Sequence, residues 1–516
     1  MSSPTLQSSL LRSLAASWLG LAVGVIISFF LSPFIVSHLG SAWYGVWAVA
    51  SQFIGYLYLM DFGVRESVVR YTSKYAARRN VRALNRVLSV TILIYSGITL
   101  LALLATLVAV WGFPHWLSLE QQFWRDGRIA LAFAGLTIAQ TFFFNVFNGV
   151  LIGLKRWEIS NVVGIALNML RAALIVLFLR LGHGIVTIAA ITCLVAMLGG
   201  VLNVFIARHL LKQAAMPFSF ELQTRRSFKA VSRRVFGYGA YVIVNNVGEK
   251  LITATDALVV GIFLPISSVA YYAVAGSLTG YLRALLGSSA QIFNPLASEL
   301  HSLHQGSRLT AAFLLGVKIC AVIAAPIVVT FIMLGKQFVG LWMGAEFAGP
   351  SSTVLSILSA AVFMAAPQYV FSSVLYGISR HRIIALLRLG EAVANLLLSV
   401  ALVKLIGLAG VALGTAIPSA IAATVILPLL VGRVVGVTLP QFYLHAYVRP
   451  LLAVTPFALA TLWVRFQFAP ANLPGFFMRI ALLMTIYLPC AYAVVLSKQE
   501  RSLVRERIPF LKRTAV

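Results

Sequence analysis

Tyr58 to Asn80 reads YLMDFGVRESVVRYTSKYAARRN, and the chain changes character within it, at Asp61. Upstream the sequence is apolar almost throughout. Downstream, Arg65, Arg70, Lys74, Arg78, Arg79, Arg82 and Arg86 follow before residue 90 against one acid, Glu66. An apolar segment running straight into a dense cationic one is the pattern of a membrane span opening into a cytoplasmic loop. The 516-residue chain has the same bias as a whole, with 60% hydrophobic and 10% charged residues. Soluble domains hold about 25% charged residues, so this chain could not dress a water-facing exterior.

A span needs about 20 predominantly apolar residues. The sequence predicts an all-α integral membrane protein of about fourteen such helices. The first two are Leu14–Val36 and Trp43–Met60, the middle ones include Ile159–Phe178, Phe236–Leu264, Val269–Phe293 and Leu309–Leu334, and the last two are Pro450–Phe466 and Phe476–Leu496. Pro350–Tyr376 is interrupted by two prolines and Gln368; Ile383–Ile406 and Leu408–Val431 follow it. Leu14–Val36 is too long for a cleavable leader. With the N-terminus inside, the inward segments carry 28 of the 40 Lys and Arg and the outward loops seven, which places both termini in the cytoplasm. The stretch after Asp61 then reads as a basic amphipathic helix at an anionic leaflet.

The net charge of +27 is spread between spans instead of being gathered in a domain, so it speaks for topology and not for nucleic acid. Cys193, Cys320 and Cys490 share no metal-ligand spacing, and no phosphate-cradling GxxxxGK[ST] occurs, so no cofactor, metal or nucleotide is expected. No catalytic constellation stands out either: the longest outward loop, PHWLSLEQQFWRDGR, has one His, one Glu and one Asp without catalytic spacing.

One internal repeat is visible. AVASQFIGYL (Ala48–Leu57) aligns without gaps to AVAGSLTGYL (Ala273–Leu282), with six of ten positions identical. The copies fall in spans two and eight, so two six-helix bundles related as a parallel repeat are expected, with substrate bound between them and two helices appended. The division reads 1–234, 235–432 and 433–516.

Charges inside spans are costly and mark pathways or pairs. In NNVGEKLITATD, Asn245, Glu249, Thr253 and Asp256 fall within about 80° of helix surface, and Asn246 and Lys250 widen that stripe to roughly 140°. In RLGEAVANLLLS, Arg388, Glu391, Asn395 and Ser399 share a second stripe; Arg388 and Glu391 either pair or line a cavity. Arg171, Arg283 and Lys318 are further intramembrane cations. Thr137, Thr141, Asn145 and Asn148 form an uncharged stripe suited to helix–helix bonds or a substrate path. Five cations (Arg171, Lys250, Arg283, Lys318, Arg388) against three acids (Glu249, Asp256, Glu391) favour an anionic substrate such as a phosphate or diphosphate head group. Glu249, Asp256 and Glu391 are candidates for coupling, and Asp61 either pairs with Arg65 four residues on or gates the inner mouth.

HLGSAWYGVWAVASQFIGYLYLMDFGVRESVVRY resembles the opening of the polysaccharide-transport (Wzx-type) flippases, in the superfamily that also holds MATE exporters and MurJ. Leu39, Gly40, Tyr44, Gly45 and Trp47 match an LG-x-x-x-YG-x-W turn, Asp61, Phe62 and Gly63 a DxG, and Arg70 and Tyr71 a basic–aromatic pair. The resemblance implies translocation of a polyprenyl-diphosphate-linked glycan across the bacterial inner membrane by alternating access. It implies diphosphate binding by bases such as Arg171, Lys250, Arg283 and Arg388, assisted by Asn245, Asn246 and Asn395. A polysaccharide polymerase and export machinery are implied further partners. A MATE-type antiporter is the alternative, weakened by a first span without charge; a membrane polymerase is a more distant one.

Overall fold

Gly40 adopts φ 83°, ψ 168°, a backbone region essentially confined to glycine, and there the first long helical run bends. That run, α1 (Pro4–Leu57), has 54 residues and is two helices meeting at a kink. At about 1.5 Å per residue such a length is more than twice the hydrocarbon thickness, so the bend separates two crossings. A computed structural model describes residues 4–116, 119–222, 224–467, 472–497 and 500–502, with the side chains of 4–19, 21, 237–254, 381 and 466–467 outside the description.

The helices continue as α2 (Val64–Ala77), α3 (Val81–Trp116), α4 (Trp124–Gly153), α5 (Trp157–Arg180), α6 (Ile185–Gln213), α7 (Arg225–Phe263) and α8 (Ile266–Gln291). Then come α9 (Phe293–Ser302), α10 (Gly306–Met343), α11 (Ala345–Met364), α12 (Ala366–Gly377) and α13 (His381–Ile421). The last are α14 (Leu427–Val435), α15 (Leu439–Tyr443), α16 (Arg449–Gln467) and α17 (Leu473–Val494). The described residues hold ten helical stretches long and apolar enough to cross a membrane, the longest being 40 and 54 residues. The 54-residue stretch, Arg382–Val435, is broken at Ile406 and Gly407, where the eleventh and twelfth spans were expected to part. The span expected at Pro350–Tyr376 is two helices, α11 and α12, because the ring of Pro367 cannot continue the α11 ladder.

α3 shows why these helices belong in lipid. Ile94, Ile98, Ala102 and Ala109 are buried on one face. Leu100, Leu104, Leu107 and Trp111 are 50% to 69% exposed on the other. An amphipathic helix of a soluble protein would place polar residues there.

The chain forms two compact units, residues 1–270 and 271–516. In unit 1, Leu84, Leu88, Tyr95, Phe142, Val146 and Val150 form a core between α3 and α4. Unit 1 runs on through α7, whereas the span count starts the second half of the repeat at 235. In unit 2, Phe313 and Val317 of α10 meet Val370 and Phe371 of α12, Phe442 of α15, and Phe457 and Tyr487 of α16 and α17.

The second motif glycine has a packing role. A Cβ on Gly45 would lie 2.2 Å from the carbonyl oxygen of Ile266 at the start of α8, a backbone atom that cannot swing aside. Gly45→Ala is therefore expected to cost about 1–3 kcal/mol, the range for overpacking. The measurement is the midpoint of thermal unfolding in detergent, and an unchanged midpoint would contradict the close approach.

Candidate functional site

Asp61 ends a 3-10 turn, Tyr58–Asp61, and the next two residues, Phe62 (φ 50°) and Gly63 (φ 68°), are both left-handed. This break removes the helical i,i+4 geometry, so of the two readings open for Asp61 the side-chain ion pair with Arg65 does not form. Arg65 instead lies 3.6 Å from Glu66. Asp61 is 5% exposed and accepts a hydrogen bond from the Tyr95 hydroxyl of α3, whose ring stacks on Phe142 of α4. The DxG motif thus turns the chain out of a span and holds a buried carboxyl against α3. The helix it launches, α2, is amphipathic and basic as expected, but its apolar face is taken up by protein: Val68 and Thr72 sit against Gly149 and Gly153 of α4. The Ser67 hydroxyl donates to the Val235 carbonyl of α7 at 2.9 Å.

On α7, the side chains of Asn245, Asn246, Glu249 and Lys250 lie outside the described residues. The described end of their stripe turns inward. Asp256 is 5% exposed, and Thr255 shares a 2.6 Å hydrogen bond with the Tyr56 hydroxyl of α1. In the uncharged stripe on α4, Thr137 and Thr141 donate to carbonyls one turn back in the same helix, at 2.7 and 2.6 Å, and Asn148 reaches Ser160 of α5 at 3.0 Å.

Arg171 of α5, Arg283 of α8 and Arg388 of α13 are half-buried within apolar helices. None has an ion-pair partner among the described residues. Arg388 and Glu391 were open to pairing; they form no salt bridge within 4 Å, although the Arg388 charge acts on Glu391, and the buried Glu391 accepts from the Gln368 amide of α12 at 3.0 Å. Glu391 also lines a groove of about 640 Å³ along α13, walled by Leu386, Leu397, Ile417 and Pro418. One turn on, Asn395 is buried and closed in by protein: its amide donates to Thr415 at 3.0 Å and its carbonyl receives Ser399 at 3.3 Å. These bonds join the two arms of α13, which approach closely because Gly410 and Gly414 carry no Cβ: one on Gly414 would fall 2.2 Å from the Ser399 hydroxyl.

Lys318 differs from the other intramembrane cations. Its ammonium donates to both carboxylate oxygens of Glu500, at 2.9 and 2.8 Å. Glu500 accepts from the Ser497 backbone N–H at 2.7 Å, and the Ser497 hydroxyl accepts from the Glu500 N–H at 3.3 Å, a capping box that orients the carboxylate toward α10. Lys318 is therefore paired within the protein, and the positive margin inside the spans shrinks from two charges to one. Glu500 was not a sequence candidate, although S-x-x-E at Ser497 is a readable cap signal. Tyr95 and Gln368, partners of two candidate acids, carry no such signal.

A family model described as polysaccharide biosynthesis protein matches residues 165–352. The chain is 23% identical over 491 residues to an uncharacterized membrane protein, EpsK, of Bacillus subtilis (strain 168), covering 94% of this chain and 95% of the relative. It is 19% identical over 410 residues to a putative O-antigen transporter of Shigella flexneri, covering 79% and 94%. The fold is similar to the inward closed conformation of the lipid II flippase MurJ, with TM-score 0.72 at 15% identity over 96% of this chain and 100% of that one. The chain is thus similar over residues 165–352 to the family described as polysaccharide biosynthesis protein, and it shares the all-helical membrane fold of MurJ.

Proposed function

We propose that this protein moves a polyprenyl-diphosphate-linked oligosaccharide, a precursor of cell-surface polysaccharide, from the cytoplasmic to the outer leaflet of a bacterial inner membrane. The observation that carries the proposal is the set of three guanidiniums, Arg171, Arg283 and Arg388, lodged in apolar helices without an ion-pair partner among the described residues. A charge at mid-span costs about 2.5–3.5 kcal/mol even on the lenient insertion scale, so such groups persist where water and an anionic ligand reach them. A diphosphate offers pairs of oxygens that the planar guanidinium fork binds bidentately. The apolar groove on α13 suits a lipid chain, and the names of the glycan-transporting relatives point to the same substrate class.

In this reading Arg171, Arg283 and Arg388, with Lys250, Asn245 and Asn246, form the substrate path, while Asn395 fixes the arms of α13 beside it. Glu249, Asp256 and Glu391 are the coupling acids, and Asp61 with Tyr95 is the gating pair at the end of α1. The halves 1–234 and 235–432 expose the path alternately to the two leaflets, residues 433–516 add the last helices and the basic tail, and both termini are cytoplasmic. The glycan polymerase and export machinery are proposed as partners, with anionic lipids at the basic loops. Reconstitution into vesicles with a fluorescent lipid-diphosphate-sugar tests this. Protein-dependent appearance of the lipid in the opposite leaflet is expected; the same rate in protein-free vesicles would reject the assignment.

A further inference from the structure

At the polar end of unit 1, α2, α3 and α7 close around a cavity of about 90 Å³. Its base is apolar, formed by the buried Val87 of α3 and Val231 of α7. Tyr71 and Tyr75 of α2 form one wall, their rings stacked with centroids 6.0 Å apart. Arg86 of α3 and Arg234 of α7 complete the rim from two other helices. Among the described residues no acidic side chain lines the cavity. Neither arginine has an ion-pair partner among the described residues.

This arrangement differs from an ordinary solvated basic face. Arg86 and Arg234 are both exposed, yet separate helices bring them to one small concavity, where a bound anion would be held by two charges at once. The walls add two phenol hydroxyls, which donate hydrogen bonds. Arg70 and Lys74 lie 5.9 Å from the centroids of the same two tyrosine rings and deepen the positive field. The volume is that of about three water molecules, enough for a tetrahedral oxyanion and too small for a sugar. Depth narrows the choice further. Arg86 stands two residues before Leu88, where the apolar run of α3 begins, and Arg234 two residues before Phe236, where that of α7 begins. Both guanidiniums are therefore placed at head-group level, at the edge of the hydrocarbon.

We propose that this cavity is a phosphate-binding site, filled by the head-group phosphate of an anionic phospholipid and distinct from the charges of the transport path. It ties α2, the helix launched by the Asp61 turn, to α3 and α7 through a bound lipid. The site stands whether or not the transport reading does, since it uses none of the intramembrane residues.

The test uses the full-length chain in a neutral detergent, with retention of short-chain phosphatidylglycerol followed by native mass spectrometry. The double variant Arg86→Gln/Arg234→Gln is compared with Arg78→Gln/Arg79→Gln, which removes the same charge from exposed positions outside the cavity. Loss of two charge-assisted contacts is expected to weaken lipid binding roughly tenfold or more in the first variant and less than about twofold in the second. Equal weakening in both would reduce the effect to diffuse surface charge and overturn the proposal, as would unchanged binding in the first. A parallel titration with inorganic phosphate separates the two sources of the group. Displacement of lipid by phosphate supports a site that reads the phosphate alone; retention of lipid under phosphate supports one that also holds the glycerol. Thermal unfolding of each variant shows whether the exposed substitutions leave the fold intact, and an affinity loss confined to unfolded material would also overturn the site.

Discussion

Arg171→Ala is expected to abolish transport of the lipid-linked glycan while leaving the protein folded. The guanidinium is half-buried on α5 and has no hydrogen bond or ion pair among the described residues, so truncation breaks no structural contact there and relieves a desolvated charge. What it removes is a charge-assisted contact to substrate, worth about 2–5 kcal/mol when buried, or roughly 30-fold to several-thousand-fold in transport. Arg171→Lys is expected to recover only part of the rate, because an ammonium cannot hold a diphosphate in the bidentate geometry. The measurement is leaflet exchange in vesicles, paired with thermal unfolding. Normal exchange by Arg171→Ala would remove this residue from the path. A collapsed melting temperature would show that its role is structural.

The second large effect concerns stability. Lys318→Met should destabilise unit 2 by about 3 kcal/mol, the lower end for breaking a buried pair, since the Glu500 side chain keeps 21% exposure. Lys318→Met/Glu500→Leu should recover most of that loss, because two apolar groups replace the pair without leaving an orphan charge. The pair also dictates a pH response. Burial pushes the Glu500 carboxyl up, but the Lys318 ammonium and the Ser497 backbone N–H outweigh it and hold the group below its ordinary value of 4.5. A carboxyl lowered on folding contributes stability that is fully present above 4.5 and fades as pH falls through the lowered value. The melting temperature of the native protein should therefore drop more steeply below that pH than that of Glu500→Gln. Parallel melting curves for the two would exclude the pair as a source of acid sensitivity.

Much of the membrane architecture was legible because hydrocarbon imposes a length rule on a single helix, and length is a local property. The turns at Gly40 and at Ile406–Gly407 fall where apolar runs were expected to end. The interruption of Pro350–Tyr376 was visible as prolines, though its result, two helices instead of one weak span, depended on how α12 restarts. Partners were not legible. Asp61 and Tyr95 are 34 residues apart, and Lys318 and Glu500 are 182 apart. Spacing on one helix can suggest an i,i+4 pair, but it cannot anticipate a hydroxyl or carboxylate delivered by another helix. Asp61 and Arg65 show the failure most simply: a regular helix would pair them, and two left-handed residues between them prevent it. Glu500 in the basic tail was overlooked for a related reason, since net charge hides the tail's two glutamates, Glu500 and Glu506, among cationic neighbours.

The central claim is that water reaches the unpaired guanidiniums within the spans, and aqueous accessibility at Arg171 tests it most directly. Arg171→Cys is made in a chain whose native cysteines, Cys193, Cys320 and Cys490, are replaced, and is treated with a membrane-impermeant thiol reagent. Labelling at a rate comparable to that of Arg233→Cys, an exposed position at the start of α7, is expected, with protection by a lipid-diphosphate-sugar. An unreactive Arg171→Cys beside a fully labelled Arg233→Cys would mean a dry, sealed position and would contradict the account.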